Sequence, residues 1–295
     1  MTNIDTLPVL GVGTSLSLAA KPDPVTLLQY QDGPDFVEYA GIVDVDAVIE
    51  EVEQIHKTDT PVLFHPSYIN FCGSFANSEL WLNETAKHIN KVDSAWFAQD
   101  CAYCFWQQGQ GYSSQLGYFI PPILNEASLN LAISRVKEVK QNIPVTVAIE
   151  PPPVSFVVGN IPVFEFFGTI AKEADCAILL DMGHLVSYEL ATGHTLVDHI
   201  DALPVERVIE VHIAGGKIKQ SGNESIYIDA HESSIQTATW KMLKSMLPLL
   251  PNVKAVCYEC EGAKEKQVIE SLTKVKKAVK DHTASKALLK KIETA

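Results

Sequence analysis

Nine residues that could bind metal fall at one recurring kind of place in this 295-residue chain, at or just beyond the end of a short apolar run. His65 lies in PVLFHP (61–66), Asp100 ends SAWFAQD (94–100), Glu150 lies in PVTVAIEP (144–151), and Asp181 and His184 lie in AILLDMGH (177–184). His212 lies in RVIEVHIAGG (207–216), Glu259 in AVCYECEG (255–262), and YIDAHE adds Asp229 and His231 after the seventh run. Carboxylates gathered in one partly desolvated pocket raise one another's pKa and take up protons unless a cation neutralises them. Carboxylate and imidazole donors without obligatory thiolate suit iron, manganese or zinc. Nine ligands exceed the roughly four to six that one ion takes, so the set points to two or three metal ions. In Asp229-Ala-His231 the spacing puts both side chains on one side of an extended segment, as a chelating pair requires.

Other chemistries are less well supported. The pairs Cys101-x2-Cys104 and Cys257-x2-Cys260 imitate a split four-thiolate zinc site. Cys257 and Cys260, however, flank Glu259 in an apparent strand, where residues three apart face opposite sides. Cys257 is expected to pack in the core, while Cys101 and Cys104, with Tyr103 between them, are expected at the mouth of the site against substrate. GVGTS (11–15) lacks the dinucleotide fingerprint and AGGK (214–217) lacks a Walker arrangement, so both are expected to be tight turns at strand ends. No G-x-S-x-G elbow marks a serine hydrolase. His56, His88, His194, His199 and His282 fall in helical or loop patterns and are assigned no role.

The elements that must position the nine residues follow from the same runs. With PVLGVGTSL (8–16) and DFVEYA (35–40) there are eight, and amphipathic stretches separate most of them near 43–56, 76–91, 125–141, 161–174 and 234–249. Such alternation is the mark of βα units around a parallel sheet. The expected fold is therefore α/β, a (β/α)8 TIM barrel of the xylose-isomerase-like kind over residues 1–262, whose active site belongs at the C-terminal ends of the strands. In 43–56, Val45, Val48, Val52 and Ile55 form one stripe. Residues 101–124, aromatic and Gln/Gly-rich, form a long insertion, and loops of that length are usually functional. Residues 263–295 hold nine Lys against four acidic residues. Their apolar positions Val268, Leu272, Val275 and Val279, continued by Leu288, Leu289 and Ile292, predict a basic helical extension packed on the acidic barrel.

Composition narrows the class further. A net charge of −13 argues against nucleic acid, whose binding needs a positive footprint. Neither a membrane span nor a basic n-region before an apolar core is visible, and six sparse cysteines read as reduced thiols, so a cytoplasmic protein is expected.

In order along the chain, LFHPSY, AIEPPP, LLDMGH, EVHIAGG, YIDAHE and YECEG resemble the motif series of the multinuclear non-heme iron-dependent oxidative enzymes, the family that includes the methanobactin and thiaglutamate biosynthesis oxidases. The resemblance runs from about residue 10 to residue 262. It implies a mixed-valence cluster of two or three irons that activates dioxygen, with a peptidyl cysteine sulfur bound to one iron. His65 then matches the family's first His and Glu150 its bridging Glu, Asp181 and His212 match the next ligands, Asp229 and His231 the I-D-x-H pair, and Glu259 the last-strand Glu. The chain departs from the pattern in three places. A Ser-acid-His run after the fourth strand is here Ala98-Gln99-Asp100, an Asn beyond the sixth-strand Asp is His184, and the Asn after the fifth-strand Glu is Pro151. An anionic oxygen at position 100 favours a more oxidised or harder ion than imidazole does. The resemblance implies an O2-dependent iron oxidoreductase with His65, Glu150, His212 and Glu259 as its catalytic residues. Its substrate would be a cysteine-containing peptide or small thiol in natural-product maturation, and its partner a small leader-peptide-recognition protein. The competing expectation is a redox-inert manganese or zinc barrel enzyme, an isomerase, epimerase or phosphodiesterase, in which a carboxylate at position 100 and a D-x-G-H run are also at home.

Overall fold

The computed structural model describes residues 2–17, 21–40, 46, 48–107, 113–222 and 224–293. Its strands are β1 (Gly11–Ser17), β2 (Val37–Ala40), β3 (Val62–His65), β4 (Trp96–Asp100), β5 (Tyr103–Gln107), β6 (Ser113–Ile120), β7 (Thr146–Glu150), β8 (Ala177–Asp181), β9 (Val208–Ser221), β10 (Glu224–Glu232) and β11 (Ala255–Glu259). Eight of these pair in parallel in the order β9-β11-β1-β2-β3-β4-β7-β8, and β8 returns to β9, so the sheet closes into a barrel without a free edge. The helices are α1 (Pro24–Leu27), α2 (Ile49–His56), α3 (Glu79–Val92), α4 (Glu126–Asn142), α5 (Val163–Glu173), α6 (Met182–Thr192), α7 (Thr237–Met246) and α8 (Glu265–Glu293). None of them is long and apolar enough to cross a membrane.

Strands such as β3, β4, β8 and β11 are buried throughout, and apolar up to their last one or two residues, because both faces are covered, one by helices and one by the barrel interior. Leu63, Trp96, Ala98, Ala148, Ala177, Leu179, Ile209, Ala255 and Cys257 form a separate buried cluster with Phe36. Large side chains alternate there with alanines, which lets inward-facing layers interdigitate. Helices bury their apolar stripes outside: Val52 and Ile55 on α2, Phe166, Phe167 and Ile170 on α5, Val268, Leu272 and Val275 on α8. Lys276 of α8 donates to the Gly33 carbonyl and to Asp35, which ties the basic tail to the acidic body. Val45 lies outside the described residues, as do the side chains of Leu288, Leu289 and Ile292.

Four local expectations need correction. The sixth run does not stay extended to His184: β8 stops at Asp181, whose Oδ1 accepts the His184 backbone N–H at 2.7 Å as the N-cap of α6. His184 therefore projects from the first helical turn instead of a strand end. The 101–124 stretch is not one loop, since β5 and β6 pair as an antiparallel hairpin within it. The two glycine pieces lie inside β1 and β9 and are not turns. A Cβ on Gly13 would sit 2.4 Å from the Phe36 carbonyl, and one on Gly215 would come even nearer the Glu232 carbonyl, so close backbone approach explains both glycines. Finally, Asp229 and His231 are not on a regular extended segment. Between Ile228 and Glu232 β10 carries four steps against two on β9, and His231 sits at φ +43°, so a bulge aims the pair.

Gly215→Ala is expected to push β10 off β9 and lower unfolding stability by about 1–3 kcal/mol. Thermal unfolding would register this as a lower Tm, and an unchanged Tm would show that the hairpin accommodates the methyl group.

Candidate metal centre

The barrel register sets the site. Ser15 is level with Glu259, Ala40 with His65, Asp100 with Glu150, and Asp181 with His212, all at the C-terminal rim. Inward-facing residues at one rim must meet across the barrel mouth, and these do. His65 Nε2 lies 3.6 Å from Glu150 and 4.0 Å from Asp100. His184 Nδ1 is 3.1 Å from the other Glu150 oxygen, while its Nε2 is 3.3 Å from Asp229 and 3.9 Å from Asp181. His212 Nδ1 faces Glu259 at 3.3 Å. His231 Nε2 completes the chain at 3.2 Å from Asp229 and 3.6 Å from Glu259. All nine residues singled out as ligands thus meet in one cluster.

Three carboxylates that sequence reasoning missed join them. Glu38 of β2 lies 3.2 Å from His212 Nε2, Glu210 of β9 is 3.7 Å from the same nitrogen, and Glu261 receives His231 Nδ1 at 2.6 Å. Position gave the available signal: Glu38 sits two residues into the FVEYA run, Glu210 two residues before His212, and Glu261 two residues after Glu259. A period of two keeps Glu210 on the same face of β9 as His212, while Glu261 lies in the turn just past β11. Trp96 Nε1 donates to Glu210 at 2.7 Å, and the Ser15 hydroxyl donates to Glu261.

These outer contacts orient the imidazoles. A carbonyl oxygen can only accept, so Pro151 O at 3.0 Å places the proton of His184 on Nδ1 and leaves Nε2 to bind. Glu261 does the same for His231.

The pKa shifts show a centre short of positive charge. Burial pushes Asp100 up to about 7 and Glu38 up to about 8, and it raises Glu150 and Asp181 as well. Burial alone would also raise Asp229 and Glu259, but neighbouring imidazoles hold Asp229 well below the carboxylate range and Glu259 at about 2. Burial would push His184, His212 and His231 down, yet the facing carboxylates hold all three well above the usual imidazole range. His65 alone goes the other way, lowered by burial to about 4.

The residues fit metal on independent grounds. Buried His65 Nδ1, Asp100 Oδ1, Asp181 Oδ2 and Asp229 Oδ1 make no hydrogen bond, which costs stability unless a ligand satisfies them. Five triads among the described residues bring a donor atom from each member within 4.8 Å of the others. Glu150, His65, Asp181, His212 and Glu259 each belong to two triads, as bridging or neighbouring sites require. No triad includes a cysteine. Cys101 and Cys104 are buried, with Cys101 Sγ 3.5 Å from Cys72 Sγ and Cys104 Sγ bonded to the Ile69 carbonyl, while Tyr103 packs half-buried against the core. The structure does not bring these three into the cluster. Cys257 packs inside the barrel, and His88 stacks on Phe64 with ring centroids 4.0 Å apart.

Between about pH 7 and 8, Asp100, Glu38, His184, His212 and His231 all bind more protons folded than unfolded, because each folded pKa is raised. Their stabilisation is present at lower pH and lost as pH rises, whereas His65 is neutral in both states there. Chelator-treated protein is therefore expected to melt several degrees lower at pH 8 than at pH 7, and added divalent metal to restore most at pH 8. Equal melting of the metal-free protein at both pH values would contradict this account.

Comparison with known proteins agrees with the architecture and adds a lineage. A UPF0276 protein of Vibrio parahaemolyticus is 28% identical over 170 residues, covering 56% of each chain. Another from an Anaeromyxobacter species is 25% identical over 198 residues, 66% of this chain and 65% of that one. The chain thus spans between half and two thirds of the length of these relatives. Among solved structures, D-psicose 3-epimerase of Clostridium cellulolyticum superposes with a TM-score of 0.59 at 12% identity, over 93% of this chain and 98% of that one. A xylose isomerase-like TIM barrel protein of Mycobacterium smegmatis, in complex with magnesium, gives 0.57 at 12% identity, over 96% and 99%. At such identities these structures show the fold alone, a xylose-isomerase-like TIM barrel. Residues 21–280 match the family described as RiPP precursor modification enzyme MbnB/TglH/ChrH, and the chain belongs to that family.

Proposed function

We propose that this protein is a non-heme iron oxidoreductase that uses dioxygen to modify a cysteine-containing peptide, or a small thiol, during natural-product maturation. The carrying observation is the run of five overlapping carboxylate and imidazole triads at the barrel mouth. Their shared members suit two or three ions side by side, and membership of a peptide-modifying family supports a peptide as substrate. Iron, when bound, supplies redox equivalents for dioxygen chemistry and an open coordination position for substrate sulfur.

The chain's own residues set the conditions. Glu150 belongs to one triad with His65 and Asp100 and to a second with Asp181 and His184, so it would help to hold ions at two neighbouring positions. Asp229 stands between His184 and His231 and extends the set to the hairpin side. His65, Glu150, His212 and Glu259, at most 9% exposed, hold the centre in a water-poor environment. Asp100 contributes an oxygen where the family pattern has imidazole, which favours the more oxidised ion. A small leader-peptide-recognition protein is the partner this reading calls for.

Anaerobic purification is expected to yield about two or three irons per chain, a mixed-valence spin signal, and oxygen uptake that depends on a cysteine peptide. Zinc or manganese alone, with no peptide-dependent oxygen uptake, would replace this reading with a redox-inert barrel enzyme. His212→Ala is expected to cut turnover more than the roughly 10–100-fold typical of losing an outer partner and to lower bound iron. Retained activity in that variant would remove His212 from the centre.

A further inference from the structure

An apolar groove of about 510 Å³ opens beside the metal centre, lined by residues 119–123, 153–156 and Val158 together with Tyr227, Ile228 and Asp229. Two observations set it apart from ordinary surface. Nine large apolar side chains are exposed among the described residues, and four of them, Ile120, Ile123, Phe156 and Val158, line this one groove. Phe156 is 71% exposed and Val158 50%, a desolvation debt that isolated surface residues rarely concentrate in one place. The walls are also fixed in advance. Leu124 N donates to Val158 O at 2.7 Å, and Asn160 N and Ile161 N both donate back to Leu124 O. Gly159 permits this closeness, since at φ +127° a Cβ would lie 2.2 Å from the Leu124 carbonyl. Pro121, Pro122 and Pro153 stiffen both walls.

The groove adjoins the centre at Asp229 and, in sequence, through the segment that follows Glu150. Asp229, one wall residue, contacts His184 and His231. The opposite wall is the chain that leaves Glu150, and Pro151 in that chain holds His184. A peptide held with one residue at the centre can therefore lay the next one on this surface.

We infer that the groove is the subsite for an apolar side chain next to the reacting residue of the peptide, so that the enzyme selects substrates in which the modified cysteine has a large aliphatic or aromatic neighbour. This rests on the proposed peptide chemistry and adds the sequence preference. A preformed apolar groove gains affinity by burying such a side chain at little ordering cost, whereas an acidic neighbour would lie against apolar walls beside Asp229.

The test uses iron-loaded full-length protein and three fluorescein-labelled heptapeptides, Gly-Gly-Leu-Cys-Leu-Gly-Gly, its Glu-Cys-Glu counterpart and its Leu-Ser-Leu counterpart, with binding read by anisotropy. The Leu-Cys-Leu peptide is expected to bind at least about tenfold tighter than Glu-Cys-Glu. V158E and F156D, both exposed sites outside the metal cluster, are expected to erase that ratio while leaving iron content and Tm unchanged. Equal binding of the leucine and glutamate peptides, or a ratio that survives both variants, overturns the subsite. So does a groove that serves self-association, seen as a dimer in the wild type that V158E makes monomeric with no change in peptide preference. Loss of discrimination between Leu-Cys-Leu and Leu-Ser-Leu, with the leucine preference intact, would strike the thiol chemistry and spare the subsite.

Discussion

Eight carboxylates meeting four imidazoles at one barrel mouth is the constraint on which the rest of the structure depends. Even with every imidazole protonated the cluster is short of four positive charges, and with neutral imidazoles, as metal binding requires, it is short of eight. Two or three di- or trivalent ions cover that range. The protonated acids and cationic histidines of the metal-free chain are the makeshift alternative. Buried ionic groups of this number are a liability for folding, so their retention is better explained by what they bind than by what they stabilise.

The fold tolerates the liability because the strain is confined to one layer. Beneath it, Leu63, Trp96, Leu179 and Ile209 interdigitate with alanines to fill the barrel. Trp96 belongs to both layers: its ring packs in the plug while its N–H donates upward to Glu210. Asp181 has a similar double use. Its Oδ1 caps α6, whose N-terminal dipole adds partial positive charge beside the cluster, and its Oδ2 is left free for a ligand.

The barrel and most of the ligand set were legible in the sequence because they follow from periodicity. Apolar runs at βα spacing specify parallel strands, and polar residues closing those runs must gather at one rim. What escaped was whatever depends on tertiary approach. Glu38, Glu210 and Glu261 look like ordinary strand or loop acids until the barrel closes and sets them against His212 and His231. The strand-to-helix switch at Asp181 was hidden by the apolar Ala177–Leu180 that precedes it and by Met182 and Leu185 after it. Gly215 looked like a turn because the contact that demands it, the Glu232 carbonyl, is distant in sequence. Cys101 and Cys104 were expected at the mouth from their place after β4, but the chain turns them inward toward Cys72 and Ile69.

The cluster is not symmetric, and the asymmetry gives it a direction. On the side of Glu38, Glu210 and His212 every member is 1% exposed or less, backed by the barrel plug. On the other side Asp229, His231 and Glu261 have side chains 20–29% exposed, and two of them sit on the β9–β10 hairpin. The cluster is most open to solvent on that side. The bulge that places His231 at φ +43° turns the strand's end toward the centre and leaves Tyr227 and Ile228 facing the apolar groove. One irregularity in β10 thus both completes the candidate ligand set and shapes the apolar groove beside it. This explains why the hairpin, rather than a barrel strand, carries His231, the most exposed candidate ligand.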